Sequence, residues 1–315
     1  MVFEGLRPGA ELMLASLALA LLLDLLYPEH RGLLLELHPV HTSYVMALKL
    51  GVRYSSKARG VLVWVTVMAF HVIPFALALI VAYRVHPLAW VVVSAVTLKL
   101  SMSLRLLIDI CYNAYRGFSK GLDEARRWVQ MIVRRDVSRL DEPRVVSAAL
   151  ESLAESLVDG FTSPLLYYAL LGPLGALVQR VANTLDGALG YKTPEYRDVG
   201  WFSARMDTLI NYIPARITAL MIIALAPIAG GSFVGALTTW RRWSRATESV
   251  NAGHPMSALA GALNVRLEKP GYYVLNASAR NPEPHDIVRG VKLALTLATL
   301  YTVIIAMVIA IVDLL

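Results

Sequence analysis

The chain has 315 residues, of which 57% are hydrophobic and 17% charged, with a mean hydropathy of +0.55; a soluble domain carries roughly 25% charged residues, so the soluble globular class is excluded. The net charge of +7 comes without zinc-finger spacing or an aromatic-flanked basic groove, which argues against a nucleic-acid partner. Excess Lys and Arg then belong in the cytoplasmic loops of a membrane protein, or at a site for phosphorylated ligands.

A spanning helix needs ~20 mostly apolar residues. Leu12–Tyr27 is a short first candidate; it is interrupted by Asp24 and lacks a small-residue cleavage site, so it reads as a retained span rather than a secretory signal. Val61–Tyr83 is a second span, broken only by His71 and Pro74. Leu88–Cys111 is a third, and Lys99, Arg105 and Asp109 predict that its last turns leave the bilayer. Cys111 is the only cysteine, so it forms no intrachain disulfide and reads as a small buried apolar residue.

Two later apolar stretches are irregular. Phe161–Val181 contains Pro164 and Gly172-Pro173, and Ile213–Leu237 contains Pro214, Pro227 and Gly230-Gly231. Broken backbone at membrane depth is tolerated only where protein or a water-filled cavity covers it, so both predict hairpins or re-entrant segments lining a site. Val291–Val312 is the strongest span, uncharged after Lys292.

The fold class expected is all-α: a polytopic integral membrane helical bundle with broken or re-entrant segments and a cytoplasmic polar belt, residues 1–315 forming one membrane-embedded catalytic domain. The positive-inside rule puts the basic stretches Arg31–Gly60 and Arg116–Arg144 in the cytoplasm and the short turn Arg84–Pro87 outside, with the N-terminus. If each broken stretch returns to its own side, every large polar segment faces the cytoplasm.

The polar belt runs from Arg134 to Arg216. Asp141 or Glu142 can cap a helix that starts at Pro143 and is expected to stop at Gly160. Glu151, Glu155 and Asp159 fall at i, i+4 and i+8 on it, one acidic stripe with Ser, Leu, Ala and Val between. Like charges at this spacing repel; a divalent cation or a basic neighbour relieves them, and the alternative is a solvated acidic face. Next, Asn183, Asp186 and Lys192 gather near Gly187 and Gly190. They read as a helix C-terminus and turn that could also meet phosphate or metal. Arg205, Asp207, Asn211 and Arg216 surround the start of the second broken stretch, where Arg either anchors at the interface or pairs with an anion. His38-Pro39-Val40 lies in the first basic loop, and Asn251-Ala252-Gly253 leads into a small-residue helix, Ser257–Leu263, which close packing or a ligand contact explains equally well.

These blocks together resemble the adenosylcobinamide-phosphate synthase family of cobalamin biosynthesis. The matching blocks are His38-Pro39-Val40, Arg135-Asp136 with Leu140-Asp141, Glu151-Ser152-Leu153-Ala154-Glu155 with Val158-Asp159-Gly160, and Ser163-Pro164-Leu165. They continue through Asn183-Thr184-Leu185-Asp186, Gly190-Tyr191-Lys192, Ala204-Arg205 with Asp207, Asn211-Tyr212-Ile213-Pro214-Ala215-Arg216 and Asn251-Ala252-Gly253, covering about residues 20 to 290 in order. The chain departs from the family pattern at Ser156, where Asn is usual after the Glu, and at Thr208, where a second Asp is common.

The resemblance implies a multi-pass enzyme of the cell membrane with a cytoplasmic site. It joins adenosylcobyric acid, a corrinoid acid, to an aminoalcohol phosphate, with ATP as co-substrate and Mg²⁺ as cofactor. Membrane lipid and other late enzymes of the pathway are further expected partners. Read against that reaction, Glu151, Glu155, Asp159 and Asp186 are expected to hold Mg²⁺. Arg135, Lys192, Arg205, Arg216, Asn183, Asn211 and Asn251 are expected to bind substrate and phosphate. Asp136, Asp207 or His38 would deprotonate the attacking amine. The chain lacks a Gly-rich Lys-Ser/Thr phosphate loop, so its nucleotide site would be non-standard. A prenyltransferase-like enzyme is a competing reading, but Gly190 stands where another carboxylate would be expected. A corrinoid transporter or scaffold is another, but the chain shows no repeated halves.

Overall fold

The computed structural model describes residues 5–314. Helix dominates, and the strands named among the described residues are only β1, Leu267–Lys269, and β2, Tyr273–Leu275. Three helices are long and apolar enough to cross a membrane, Lys57–Val85, Pro87–Phe118 and Pro284–Asp313, and the pair Trp201–Ile210 and Tyr212–Ala224 is bent by 46°, as a broken span or a re-entrant loop would be. The protein is therefore all-α and polytopic, as its composition predicts.

The helix Lys57–Val85 shows how sequence makes such a span. Gly60, Val63, Val67 and His71 are buried, while Leu62, Val65, Phe70, Ile73, Leu77 and Val81 are exposed. Both sets recur at helical spacing, so one face packs inward and the apolar other face suits lipid. His71 sits in the span with both ring nitrogens engaged, one with Thr42 Oγ1 at 2.7 Å and one with the Val67 carbonyl at 2.7 Å. The expected first span is the helix Ala10–Leu26, 17 residues long. That length is about 26 Å, short of the ~30 Å hydrocarbon core.

The chain divides into two compact units. One comprises the chain up to Ser103, Ser163–Ile210 and the end of the chain from Thr302; the other comprises Leu104–Thr162 and Asn211–Tyr301. In the first, the helix Pro173–Leu189 is central, packing Leu177, Val181, Leu185 and Leu189 against Ala47, Val63 and Val67. Gly172, at φ +74°, turns the chain between Ser163–Leu171 and Pro173–Leu189, and Pro173 starts the second helix. The two helices pack on each other. The turn at Gly172 and the packing of the two helices make this stretch the hairpin its Gly-Pro break predicts.

In the second unit the acidic helix Glu142–Leu157 is capped by Asp141, whose side chain accepts from Arg144 N–H at 3.2 Å. The expected stop at Gly160 does not occur. Val158–Thr162 forms a π-helical turn instead and runs on into the next helix. Pro164 has no N–H to give the Gly160 carbonyl, and a π turn absorbs that missing bond inside helical backbone. The break in the second apolar stretch is satisfied from the C-terminal helix. Arg289 donates to the carbonyls of Ala229 at 2.8 Å and Leu263 at 3.2 Å, and buried Asp286 holds it in place at 2.6 Å. Helix-end carbonyls without water need such a donor. The small-residue helix is present as Gly253–Leu263, buried along almost its whole length.

Candidate active site

The second unit holds Arg135, Asp136, Glu151, Glu155, Asp159, Asn211, Arg216 and Asn251; the first holds His38, Asn183, Asp186, Lys192, Arg205 and Asp207. Each unit builds its own group from its own elements.

In the second unit, Glu151 is almost fully buried and accepts four hydrogen bonds. Arg135 donates to its two oxygens at 3.0 and 3.2 Å, Ser147 donates at 2.6 Å and Tyr273 at 2.7 Å. Helical spacing brings Ser147, one turn before, onto the same face. The β1–β2 hairpin brings Tyr273, with Leu267 paired to Leu275 and Lys269 to Tyr273. Burial works against the charge on Arg135, but Glu151 beside it more than offsets this and holds the guanidinium ionised. Burial and the Glu151 charge both push the Tyr273 hydroxyl well above its ordinary range, so it stays a donor.

This arrangement corrects the expected ligand set. Glu151 spends its lone pairs on four donors, and among the described residues no three His, Cys, Asp or Glu lie together as a metal site would need. Glu155 is exposed and Asp159 half-buried, one turn apart. Mg²⁺ commonly takes one or two carboxylates and completes its shell with substrate phosphates and water, and this pair fits that need.

Farther along the same unit, Arg216 stacks over the Tyr212 ring at 3.3 Å and donates to the Tyr212 carbonyl at 2.6 Å and to Asn251 Oδ1 at 3.1 Å. The sequence placed Arg216 and Asn251 in one site, and the fold joins them. Asn211 is buried at the N-cap of Tyr212–Ala224. His254, which sequence reasoning did not single out as a site residue, accepts from Trp240 Nε1 at 3.0 Å through Nδ1. Burial, then Arg216 and Arg245, lower its pKa to about 4, so it is neutral near pH 7.

In the first unit, Asn183 donates to Asp207 Oδ1 at 3.1 Å, joining two blocks 24 residues apart. Asp186 lies on the last turn of Pro173–Leu189, and Gly190 is the C-cap, as expected. A side chain at Gly190 would strike the Asp186 carboxylate, so only glycine permits this approach. Lys192 and Arg205 are exposed.

Two of the three expected bases are poorly suited. Asp136 is exposed and accepts from Ser138 N–H at 2.8 Å, and that bond holds its pKa below the usual carboxylate range. His38 caps the helix Pro39–Leu50, its Nδ1 accepting from Val40 N–H at 3.1 Å. The neutral ring then carries its proton on Nε2 and has no lone pair to take another. Burial first, and then His30, Arg180, Lys99 and His41, lower its pKa to about 3. Asp207 is left as the expected base that the geometry does not weaken.

The comparison with known proteins decides the family. The model of the CobD/Cbib protein family matches residues 17–312. The chain belongs to the CobD/Cbib family. It is 53% identical to the probable cobalamin biosynthesis protein CobD of Aeropyrum pernix over 98% of this chain and 96% of the relative. It is 36% identical to the probable protein of the same name from Methanothermobacter thermautotrophicus over 91% and 94%, and 43% identical to the cobalamin biosynthesis protein CobD of Rhodobacter capsulatus over 55% and 56%. No solved structure matches the chain. Membership of the CobD/Cbib family places this membrane protein in cobalamin biosynthesis. Of the site residues, Tyr273 was not visible in sequence, because nothing local marks it. Ser147 was visible in principle, four residues before Glu151 on one helix face.

Proposed function

We propose that the chain catalyses ATP-dependent amide formation between adenosylcobyric acid and an aminoalcohol phosphate, 1-amino-2-propanol phosphate being the usual unit, to give adenosylcobinamide phosphate. The observation that carries this reading is that one unit of a cobalamin-biosynthesis protein holds the ionised guanidinium of Arg135, fixed on Glu151, and also the carboxylates of Glu155 and Asp159, one and two turns farther along the chain from Glu151. Making an amide from a carboxylate requires activation. A carboxylate oxygen takes the terminal phosphoryl group of ATP and releases ADP; the amine then attacks the acyl carbon, and phosphate leaves with the C–O electron pair. Both transfers ask for positioning and neutralisation of phosphate charge.

Mg²⁺, held by Glu155 and Asp159 with substrate phosphates, would supply part of that neutralisation. Arg135 and Arg216, with Asn251 steering the latter, would hold oxyanions; Lys192 and Arg205 would do so from the first unit. Asp207, oriented by Asn183, would take the proton of the attacking amine. Glu155→Gln is expected to lower kcat on the order of 100-fold, with the half-saturating Mg²⁺ concentration raised and the detergent-purified protein still folded. Turnover near that of the parent would remove Glu155 from metal binding. The site faces the cytoplasm in this reading, so reporters fused after Lys192 and after Arg245 should both signal from inside. An extracellular signal at Lys192 would overturn that orientation.

A further inference from the structure

Arg135 leaves part of its donor set unused where that is costly. A guanidinium has five N–H groups arranged as an end-on fork and a side-on fork. The end-on fork is occupied, because Nη1 and Nη2 donate to the two Glu151 oxygens at 3.0 and 3.2 Å. On the other side, Nε is buried and has no hydrogen-bond partner. Interiors seldom strand a donor in this way, and an exception calls for a physical reason.

The stranding cannot be relieved by a small rotation, because Glu151 is locked. Its Oε1 takes the Ser147 hydroxyl at 2.6 Å and its Oε2 the Tyr273 hydroxyl at 2.7 Å. Ser147 Oγ in turn accepts from the N–H of Glu268 on β1 at 2.7 Å. Glu268 is itself held by Arg144 at 2.7 Å and by Arg266. The hairpin thus clamps the acidic helix through both of its strands, and the clamp fixes the plane of the Arg135 guanidinium.

We propose that the side-on fork of Arg135, Nε–H with the outer Nη2–H, is a docking point for an oxyanion, and that Glu151, Tyr273 and Ser147 are its positioning residues rather than metal ligands. Two parallel N–H donors match two oxygens of a phosphate or a carboxylate. Which substrate brings those oxygens rests on the ligation reading; the oxyanion site does not.

Two measurements on the full chain in detergent test this. In the first, the parent protein, Tyr273→Phe, Ser147→Ala and Tyr272→Phe are titrated with inorganic pyrophosphate and, separately, with acetate, without Mg²⁺. In the second, KM is measured for ATP, for the aminoalcohol phosphate and for the corrinoid acid in turn, with the Mg²⁺ dependence. Tyr273→Phe and Ser147→Ala should weaken one oxyanion about tenfold and raise one substrate's KM alike, with kcat within about twofold. The half-saturating Mg²⁺ concentration should not move. Tyr272, 63% exposed on the same hairpin, is the control and should change nothing. The substrate whose KM moves tells phosphate from corrin carboxylate.

A shift in Mg²⁺ dependence with unchanged KM would make Glu151 a metal ligand and overturn the proposal. Failure of the parent to bind either anion, or equal binding in all four proteins, would overturn it as well. If the parent forms no amide, the ligation reading fails, while the anion titration still decides the site.

Discussion

Two of the ion pairs held out of water, one in each compact unit, are built to different plans. Lys99 meets Asp24 at 2.8 Å with both side chains 6% exposed, and neither residue strands a buried donor. Arg135 meets Glu151 at 3.0 Å with the arginine 19% exposed, and its Nε–H is left over. Lysine offers a point charge, which one carboxylate can neutralise; arginine offers a planar fork on two sides, and one carboxylate fills only one. The first pair therefore has the design of a structural contact that closes an apolar helix interface. The second has the design of a contact that holds a cation in place for something else.

The largest expected effects break this comparison directly. Lys99→Met removes the ammonium that meets the buried Asp24 and should cost ~3–5 kcal/mol of stability, read by unfolding in detergent. Lys99→Met combined with Asp24→Leu should recover that loss, since an apolar pair in such a place is often neutral or better. The parallel double exchange, Arg135→Met with Glu151→Met, should leave a folded chain that no longer joins the two substrates. A double exchange at 24 and 99 that stays unfolded, or one at 135 and 151 that keeps turnover, would show that the two pairs serve the same purpose.

The two pairs also mark how far sequence carries. Helical periodicity gave the long spans, the acidic stripe, the Asp141 cap and the buried small-residue helix, because each is a local consequence of side-chain spacing and backbone chemistry. Gly172-Pro173 gave the hairpin for the same reason. Glu151 was legible as an acidic residue with an unpaired look, but its partnership with Tyr273 spans 122 positions. The strands that deliver Tyr273 are three residues each, too short for alternation to be read. The missed stop at Gly160 had a local signal after all: Pro164 lies four residues on and lacks the N–H that would have closed that turn.

The smallest expected effect concerns His38, which shares its surroundings with Lys99. The geometry makes it a cap rather than a base, so His38→Asn, which keeps an acceptor for Val40 N–H, should leave turnover within about twofold, whereas loss of a general base costs ~10²–10⁴. Its effect should instead appear in stability against pH. The folded pKa of about 3 lies below the ordinary 6.5, with burial the main cause and the neighbouring His30, Arg180, Lys99 and His41 adding to it. Between those two values the unfolded chain binds more protons than the folded one, so stability rises with pH across the window. The contribution is complete above about 6.5 and is lost as pH falls toward the folded value. His254, lowered to about 4, contributes in the same direction, so the His38→Asn profile between pH 7 and 5 should be shallower than the parent's without becoming flat. A profile identical to the parent's would mean that His38 takes up its proton at the same pH in the folded and unfolded chains, and with it the cap at Val40 would have to be given up.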